Sequence, residues 1–295
     1  MRVMETKGWS FAEGEEIAHD RFALTLLGGG RKFEVYLAWD EEMHTVVAVK
    51  LVRPELAEDE GTLDRFRAEA EALSRLQHPV LPRCFAQDIS PPRPHIVLEF
   101  LDGPRLSTTI RRQRQLAVEQ VLPLGVQLCA ALHYMHGRDM VHLDVKPKNV
   151  ILGAPARLVD LSIATSLGSA RALTGPIGTD AYMAPEQCGV GMHEAIGPGT
   201  DVWGIGATLY EAITGRLPWP RGAGTEPGTA RFPQLEVEPE ALPRDIPRVV
   251  ADPIEACLRR DPADRPNASE LSAMLRPLAD VLPRSPRVSR RRPRL

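Results

Sequence analysis

Alternating apolar and polar positions mark the first third of the chain as strands. Residues 22–27 lead into Gly28-Gly29-Gly30. Residues 35–39 and 46–51 flank a polar turn at 40–44 and read as a hairpin. The period then lengthens. Residues 62–77 place apolar side chains three and four apart and stop at His78-Pro79, which predicts a helix. Two short strands, 83–88 and 96–100, follow around a proline-rich loop. Beyond Gly103 the pattern is helical. A long apolar helix is expected over 119–137, with Pro123 in its first turn. A second, over 201–214, is apolar enough to be buried on most sides. Further helices are expected over 246–260 and 268–282. The seven prolines within 217–247 predict irregular backbone between. The expected fold class is α+β. A small β-rich lobe with one main helix (21–100) precedes a larger helical lobe (103–282), with a cleft between them and an N-terminal extension over 1–20.

Composition leaves this picture intact. The 295 residues suffice for one bilobal unit, and 43% apolar with 25% charged is ordinary for a globular protein. No run of about eighteen apolar residues suggests a membrane span, and the N-terminus does not resemble a signal peptide. Cys84, Cys129, Cys188 and Cys257 are scattered without metal-ligand spacing, which points to a reducing, cytoplasmic setting. Charge is uneven. The last twelve residues hold six arginines and no acid; removing them from the 36 cations leaves 30 against 39 acids. The stretch 283–295 is therefore expected to be a basic, disordered tail. The acidic body argues against nucleic acid as the main partner.

Candidate chemistry concentrates on one loop. Asp144, Lys146 and Asn149 lie within six residues and offer a proton acceptor, a phosphate-facing cation and a metal-binding amide. Asp160 adds a second hard oxygen ligand, suited to Mg²⁺. Upstream, Gly28 and Gly30 free the backbone to approach phosphate. Ala48 and Lys50 share one face of a strand. On the predicted helix, Phe66, Glu69, Leu73 and Leu76 line one stripe. A carboxylate there needs a cation, and Lys50 is the candidate; Glu71 should face solvent. Taken singly, each feature has a bland alternative: a turn glycine, a rim carboxylate, a turn aspartate.

Together these residues resemble the eukaryotic-like protein kinase family, in the style of its bacterial Ser/Thr members, over roughly 21–282. Gly28 to Val35 looks like the glycine-rich loop, and Val47-Ala48-Val49-Lys50 like the third-strand lysine motif with Glu69 its helix partner. His142-Leu143-Asp144 through Asn149 matches the catalytic loop, and Asp160-Leu161-Ser162 the metal-binding turn. Ala184-Pro185-Glu186 matches the end of the activation segment, and Asp201-Val202-Trp203 the start of a buried helix. Lys146, with Gly178-Thr179, is similar to Ser/Thr rather than Tyr kinases. The resemblance implies a bilobal kinase fold and phosphoryl transfer from ATP, with Mg²⁺ (or Mn²⁺), to serine or threonine of a protein substrate. Asp144, Lys146, Lys50 and Glu69 would be catalytic, and Asn149 and Asp160 would bind metal. Leu27, Gly28, Gly29, Gly30, Val35, Ala48, Lys50, Leu98, Glu99, Leu101 and Ile151 would bind nucleotide. Val35, Ala48 and Ile151 would sandwich adenine, with Glu99 and Leu101 at the hinge and Leu98 the gatekeeper. Leu73, Leu161 and His142 would form an internal spine anchored at Asp201, and Arg265 would be the buried partner of Glu186. Ser166, Ser169 and Thr174 would be candidate autophosphorylation sites.

Three positions depart from the family. Phe33 replaces the third glycine, which is expected to add bulk over the phosphates and raise the nucleotide KM. Leu143 replaces an arginine that normally reads an activation-segment phosphate, so activity should not depend on that phosphate. Ser162 replaces glycine in the metal-binding turn and should stiffen it. These three are also the basis of the alternative reading, a pseudokinase that binds nucleotide or scaffolds without turnover.

Overall fold

The computed structural model describes residues 10–189, 196–226 and 228–281. The basic tail lies outside these residues, as do the first nine of the N-terminal extension.

A six-stranded antiparallel sheet forms the N-terminal lobe. Its strands are β1 (Glu16–Ala18), β2 (Arg21–Gly29), β3 (Phe33–Asp40), β4 (Thr45–Val52), β5 (Cys84–Asp88) and β6 (His95–Glu99), in spatial order β1-β2-β3-β4-β6-β5. Strand alternation divides it into two faces. Register pairs Val35 with Lys50, Leu37 with Ala48, and Ala48 in turn with Leu98, so these side chains share the face toward the cleft. The opposite face buries Ile17, Ala23, Tyr36, Ala38, Val47, Val49, Leu51 and Val97 in a cluster of its own. Residues 16–18, within the N-terminal extension, pair with β2 and join the sheet.

Helix α1 (Glu60–Arg75) packs on the cleft side. It begins two residues before the expected position because Asp59 caps it, accepting the Thr62 N–H at 2.8 Å. Its buried stripe includes Phe66, Glu69 and Leu73, with Leu76 at the C-cap also buried, while Glu71 is exposed.

The second lobe is helical. Its elements are α2 (Leu106–Gln113), α3 (Val118–His136), α4 (Leu167–Arg171), α5 (Pro198–Thr214), α6 (Arg248–Cys257) and α7 (Ala268–Val281). Four two-residue strands matter for the site, in two antiparallel pairs: β7 (Met140–Val141) pairs with β10 (Thr165–Ser166), and β8 (Val150–Ile151) with β9 (Arg157–Leu158). Pro123 sits in the second turn of α3, not the first, because the helix starts at Val118. Helix α5 starts three residues earlier than expected, at Pro198, a residue pre-set for a first turn. It is buried along almost its whole length. The main core runs without a break from Phe66 and Leu73 of α1 to the faces of α3, α5, α6 and α7. At the lobe junction Gly103 has φ +156°, and a Cβ there would lie 2.0 Å from the Leu152 carbonyl oxygen. Only glycine fits that crossing.

Among its described residues the proline-rich stretch is irregular, with one short 3-10 turn at Pro233–Leu235 and hydrogen-bonded turns over 228–231 and 243–246. It still has a structural task. Arg231 forks onto Asp180 at 2.7 and 3.0 Å, and the Gln234 amide donates to the Asp180 and Met183 carbonyls. This fastens the segment that follows Thr179.

Candidate active site

The strand register sets the first half of the site. Lys50 projects from β4 into the cleft, and its Nζ donates to both Glu69 oxygens at 2.6 and 2.7 Å. The same nitrogen lies 3.8 Å from Asp160 Oδ1, so the ion pair spans the two lobes. Burial pushes the Glu69 carboxyl upward, and Lys50 works against that shift. At Asp160 the balance goes the other way. Burial opposes ionisation, but Lys50, the Ser162 side chain, His142 and Lys146 together hold the carboxyl below its usual value.

Phe33 is not suspended over the loop. As the first residue of β3 it shares the face of Val35 and points to α1. Its ring stacks on Phe66 with centroids 5.2 Å apart, and Lys50 Nζ sits 4.6 Å from its centre. It thereby fills the angle between the loop, the lysine and the helix that carries Glu69. The glycine-rich turn itself is open. A Cβ added at Gly28 or Gly30 would meet no atom within 4 Å. That is room a phosphate group can occupy at close approach.

The catalytic-loop residues converge as their spacing suggests. Asp144 Oδ2 accepts from Lys146 Nζ, and Asp144 Oδ1 from the Thr179 hydroxyl at 2.7 Å; Lys146 also reaches Thr179. The Asn149 amide nitrogen donates to the Asp144 backbone and side chain, both at 3.0 Å, which turns its amide oxygen away from that loop. The Asn149 carbonyl accepts from Val159, placing Asp160 next in chain. Asp160 (φ +72°) and Leu143 (φ +65°) both adopt left-handed backbone. Neither is glycine, so the surroundings must hold them there.

Those surroundings are anchored on α5. Asp201, fully buried, accepts from the His142 and Leu143 backbone N–H groups at 2.9 and 2.7 Å and from His136 at 2.9 Å. Burial raises its pKa, but His136, with His142, outweighs it and the carboxyl stays below its usual value. The Leu143 side chain packs with Val141, Ala170 and Ile196, with Ile163, Leu167 and Ile177 around them. Where the resemblance leads one to expect a cationic contact to the activation segment, the chain has an apolar one. Within that segment Ser169 and Thr174 are exposed, and the Ser166 hydroxyl caps α4 by accepting the Ser169 N–H.

The nucleotide candidates line the same cleft. Val35, Ala48 and Leu98 share the inner sheet face. Glu99 donates its N–H to the Arg83 carbonyl, and its carboxylate is gripped by Arg157 at 3.0 and 3.2 Å. Leu101 follows at the crossing, and Ile151 bridges Arg105 from the floor. Leu27, Gly28 and Gly29 end β2 at the exposed rim. Leu73 and Leu161 lie in the main core, and His142 is wholly buried. Glu186 and Arg265 form a buried two-pronged pair at 2.7 and 3.0 Å, with Thr200 donating to Glu186 at 2.8 Å.

The sequence reading left Thr179 without a contact role and passed over Arg53, Tyr36 and Gln187. Gln187 donates to the Leu143 and Ile177 carbonyls at 2.8 Å and so ties the catalytic loop to the activation segment. A signal existed for Glu34: alternation puts this carboxylate on the apolar face with Tyr36 and Ala38, where it requires a partner.

A bilobal fold of this kind, with a lysine–carboxylate pair facing a loop aspartate, defines a phosphoryl-transfer class. The family model described as "Protein kinase domain" matches residues 23–275, and the chain belongs to that family. It is 30% identical over 288 residues to "Serine/threonine-protein kinase PknB" of Mycobacterium leprae, covering 91% of this chain and 45% of that protein. It is 32% identical over 249 residues to "Serine/threonine-protein kinase PknA" of Mycobacterium tuberculosis (81% and 56%). To "Probable serine/threonine-protein kinase SCO3848" of Streptomyces coelicolor it is 33% identical over 228 residues (73% and 33%). The chain thus spans roughly a third to just over half of these relatives. Among the described residues no helix is long and apolar enough to cross a membrane.

Proposed function

We propose that the chain transfers the γ-phosphoryl group of ATP to serine and threonine hydroxyls of proteins. The observation that supports this most is Lys50, paired with Glu69 in one lobe and close to Asp160 of the other. A lysine so placed can hold phosphate oxygens against the metal-binding turn.

In this reading Asp144 orients the acceptor hydroxyl and takes its proton as the new oxygen–phosphorus bond forms and the bond to ADP breaks. Lys146 neutralises charge on the transferring group, and Thr179 fixes the rotamer of Asp144. Lys50, held by Glu69, positions the phosphates. Val35, Ala48 and Ile151 enclose the adenine, while the Glu99 carbonyl and the Leu101 backbone meet its edge. Asn149 and Asp160 fit Mg²⁺: two hard oxygen donors, one kept anionic, suit an ion that takes few protein ligands plus phosphate oxygens. The metal supplies charge neutralisation at those oxygens.

Activity in this reading does not wait for a phosphate bound at position 143, because Leu143 is packed in an apolar cluster with the segment it would control. Ser169 and Thr174 are the more accessible autophosphorylation candidates. The cytoplasm suits four unpaired cysteines, three of them buried. The test is incubation with γ-labelled ATP, Mg²⁺ and a generic protein substrate, then acid hydrolysis. Label in phosphoserine and phosphothreonine is expected; label in phosphotyrosine alone would refute the specificity.

A further inference from the structure

A second set of buried polar groups lies behind the glycine-rich loop, on the face of the sheet away from the cleft. The Tyr36 hydroxyl is wholly buried and fully engaged. It accepts the backbone N–H groups of Ser10 and Phe11 at 2.9 and 3.0 Å and donates to Glu34 Oε2 at 2.6 Å. Glu34, two residues before Tyr36 on β3 and 1% exposed, pairs through Oε1 with Arg53 Nη1 at 2.9 Å. Arg53, just past the end of β4, donates from Nε to the Gly30 carbonyl at 2.7 Å. Its own N–H binds the Lys32 carbonyl at 2.8 Å. A continuous chain of hydrogen bonds and one ion pair therefore joins residues 10–11 to the turn of the glycine-rich loop.

The N-terminal end of this chain is strapped down. Phe11 meets the Tyr36 ring edge-on at 5.7 Å, and the Arg93 guanidinium lies 5.1 Å from the Phe11 ring centre. Arg93 also donates to the Glu16 carbonyl at 2.8 Å, and β1 is paired into the sheet. At the other end, a loop with open space beside Gly28 and Gly30 has little side-chain packing to set its height. Arg53 ties its carbonyl to the strand that bears Lys50. We propose that Tyr36, Glu34 and Arg53 are positioning residues through which the docked N-terminal segment sets the glycine-rich loop for nucleotide binding. Burial and the Glu34 hydrogen bond push the Tyr36 phenol up to about 12, so it stays protonated and keeps donating at any working pH. Glu34 remains the acceptor, and the relay has one polarity.

The inference rests on the kinase reading of the cleft, so its test separates the two. Titration with a fluorescent non-hydrolysable ATP analogue and steady-state kinetics are run on the full chain, on Tyr36→Phe, and on a chain lacking residues 2–13. Each change removes hydrogen bonds at one end of the relay. Each is expected to weaken analogue binding and raise the KM for ATP by about five- to tenfold. kcat and the KM for protein substrate should move less than about twofold. The double variant should be no worse than the worse single, because both changes cut the same chain. Should either variant fail to fold, Arg53→Lys, altered at a partly exposed side chain, replaces it with the same expectation. Folded variants with unchanged analogue affinity, or additive effects in the double variant, overturn the relay. Absence of transfer by the unaltered chain overturns the kinase reading instead, and leaves the analogue titration to decide the relay by itself.

Discussion

Phe33 shows how far a single position can be read in advance. Its place in the motif suggests bulk over the phosphates that a glycine would relieve. Its strand register says otherwise, because residues 33, 35 and 37 share the face of Lys50. The ring is part of the support of the Lys50–Glu69 pair through its stack on Phe66. An aromatic stack and a cation–π contact are together worth about 1–3 kcal/mol. Phe33→Gly is therefore predicted to lower kcat/KM by about tenfold in steady-state assays, not to improve nucleotide use. An unchanged or improved value would count against this role. Leu143 is the second such residue. Its replacement of arginine was legible; its burial against Ala170 and Ile196 was not, because those contacts close over long sequence separations. Leu143→Arg would bury an unpaired charge in that cluster. It should destabilise the fold by about 3 kcal/mol without making activity sensitive to phosphatase. Thermal melts and phosphatase treatment of both proteins check the two halves of that statement.

At the scale of elements, the long periodic segments were legible and the short ones were not. Helix α1 matches its stripe of Phe66, Glu69, Leu73 and Leu76, since burial of one face at period 3.6 is what the sequence encodes. Helices α2 and α4 and strand β1 escaped the pattern. At five and three residues, α4 and β1 are too short for a period to declare itself, and α2 manages two turns. Helix α5 matters most to the site. Its Asp201 holds the catalytic loop by two backbone N–H groups, and a Cβ at Gly204 would come within 2.8 Å of Val145 Cβ. Asp201→Asn is predicted to cost about 3 kcal/mol at neutral pH, since one amide oxygen cannot replace two anionic acceptors. The sign with pH follows from a folded pKa below the unfolded reference of 3.8. The contribution is complete above that reference and is lost as pH falls through the lowered folded value. The stability gap between wild type and variant, measured by denaturant titration, should be flat over the neutral range and close only in strong acid. A gap that closes near neutrality would contradict that sign.

For the whole molecule, the two lobes share one continuous apolar core, and polar contacts such as Lys50–Asp160 and Arg157–Glu99 add to it. The α+β class, the order of the lobes and the cleft between them all follow from a change of period near Gly103. The approach of Lys50 to Asp160 across the cleft, at 3.8 Å, does not, because it joins residues far apart in the sequence. Below the cleft, Arg265 and Glu186 form a fully buried pair that joins the end of the activation segment to the region before α7. Arg265→Ala would strand that carboxylate. A loss of about 3–5 kcal/mol is expected, read as a melting point lower by about 10 °C. The most direct test of catalysis in the cleft is single-turnover transfer of γ-phosphate to protein substrate by wild type, Asp144→Asn and Lys50→Met, with nucleotide binding measured in parallel. Wild type should transfer, and both variants should be slower by at least about a hundredfold, Asp144→Asn while still binding nucleotide. Equal transfer by all three, or none by the wild type with nucleotide bound, would contradict it.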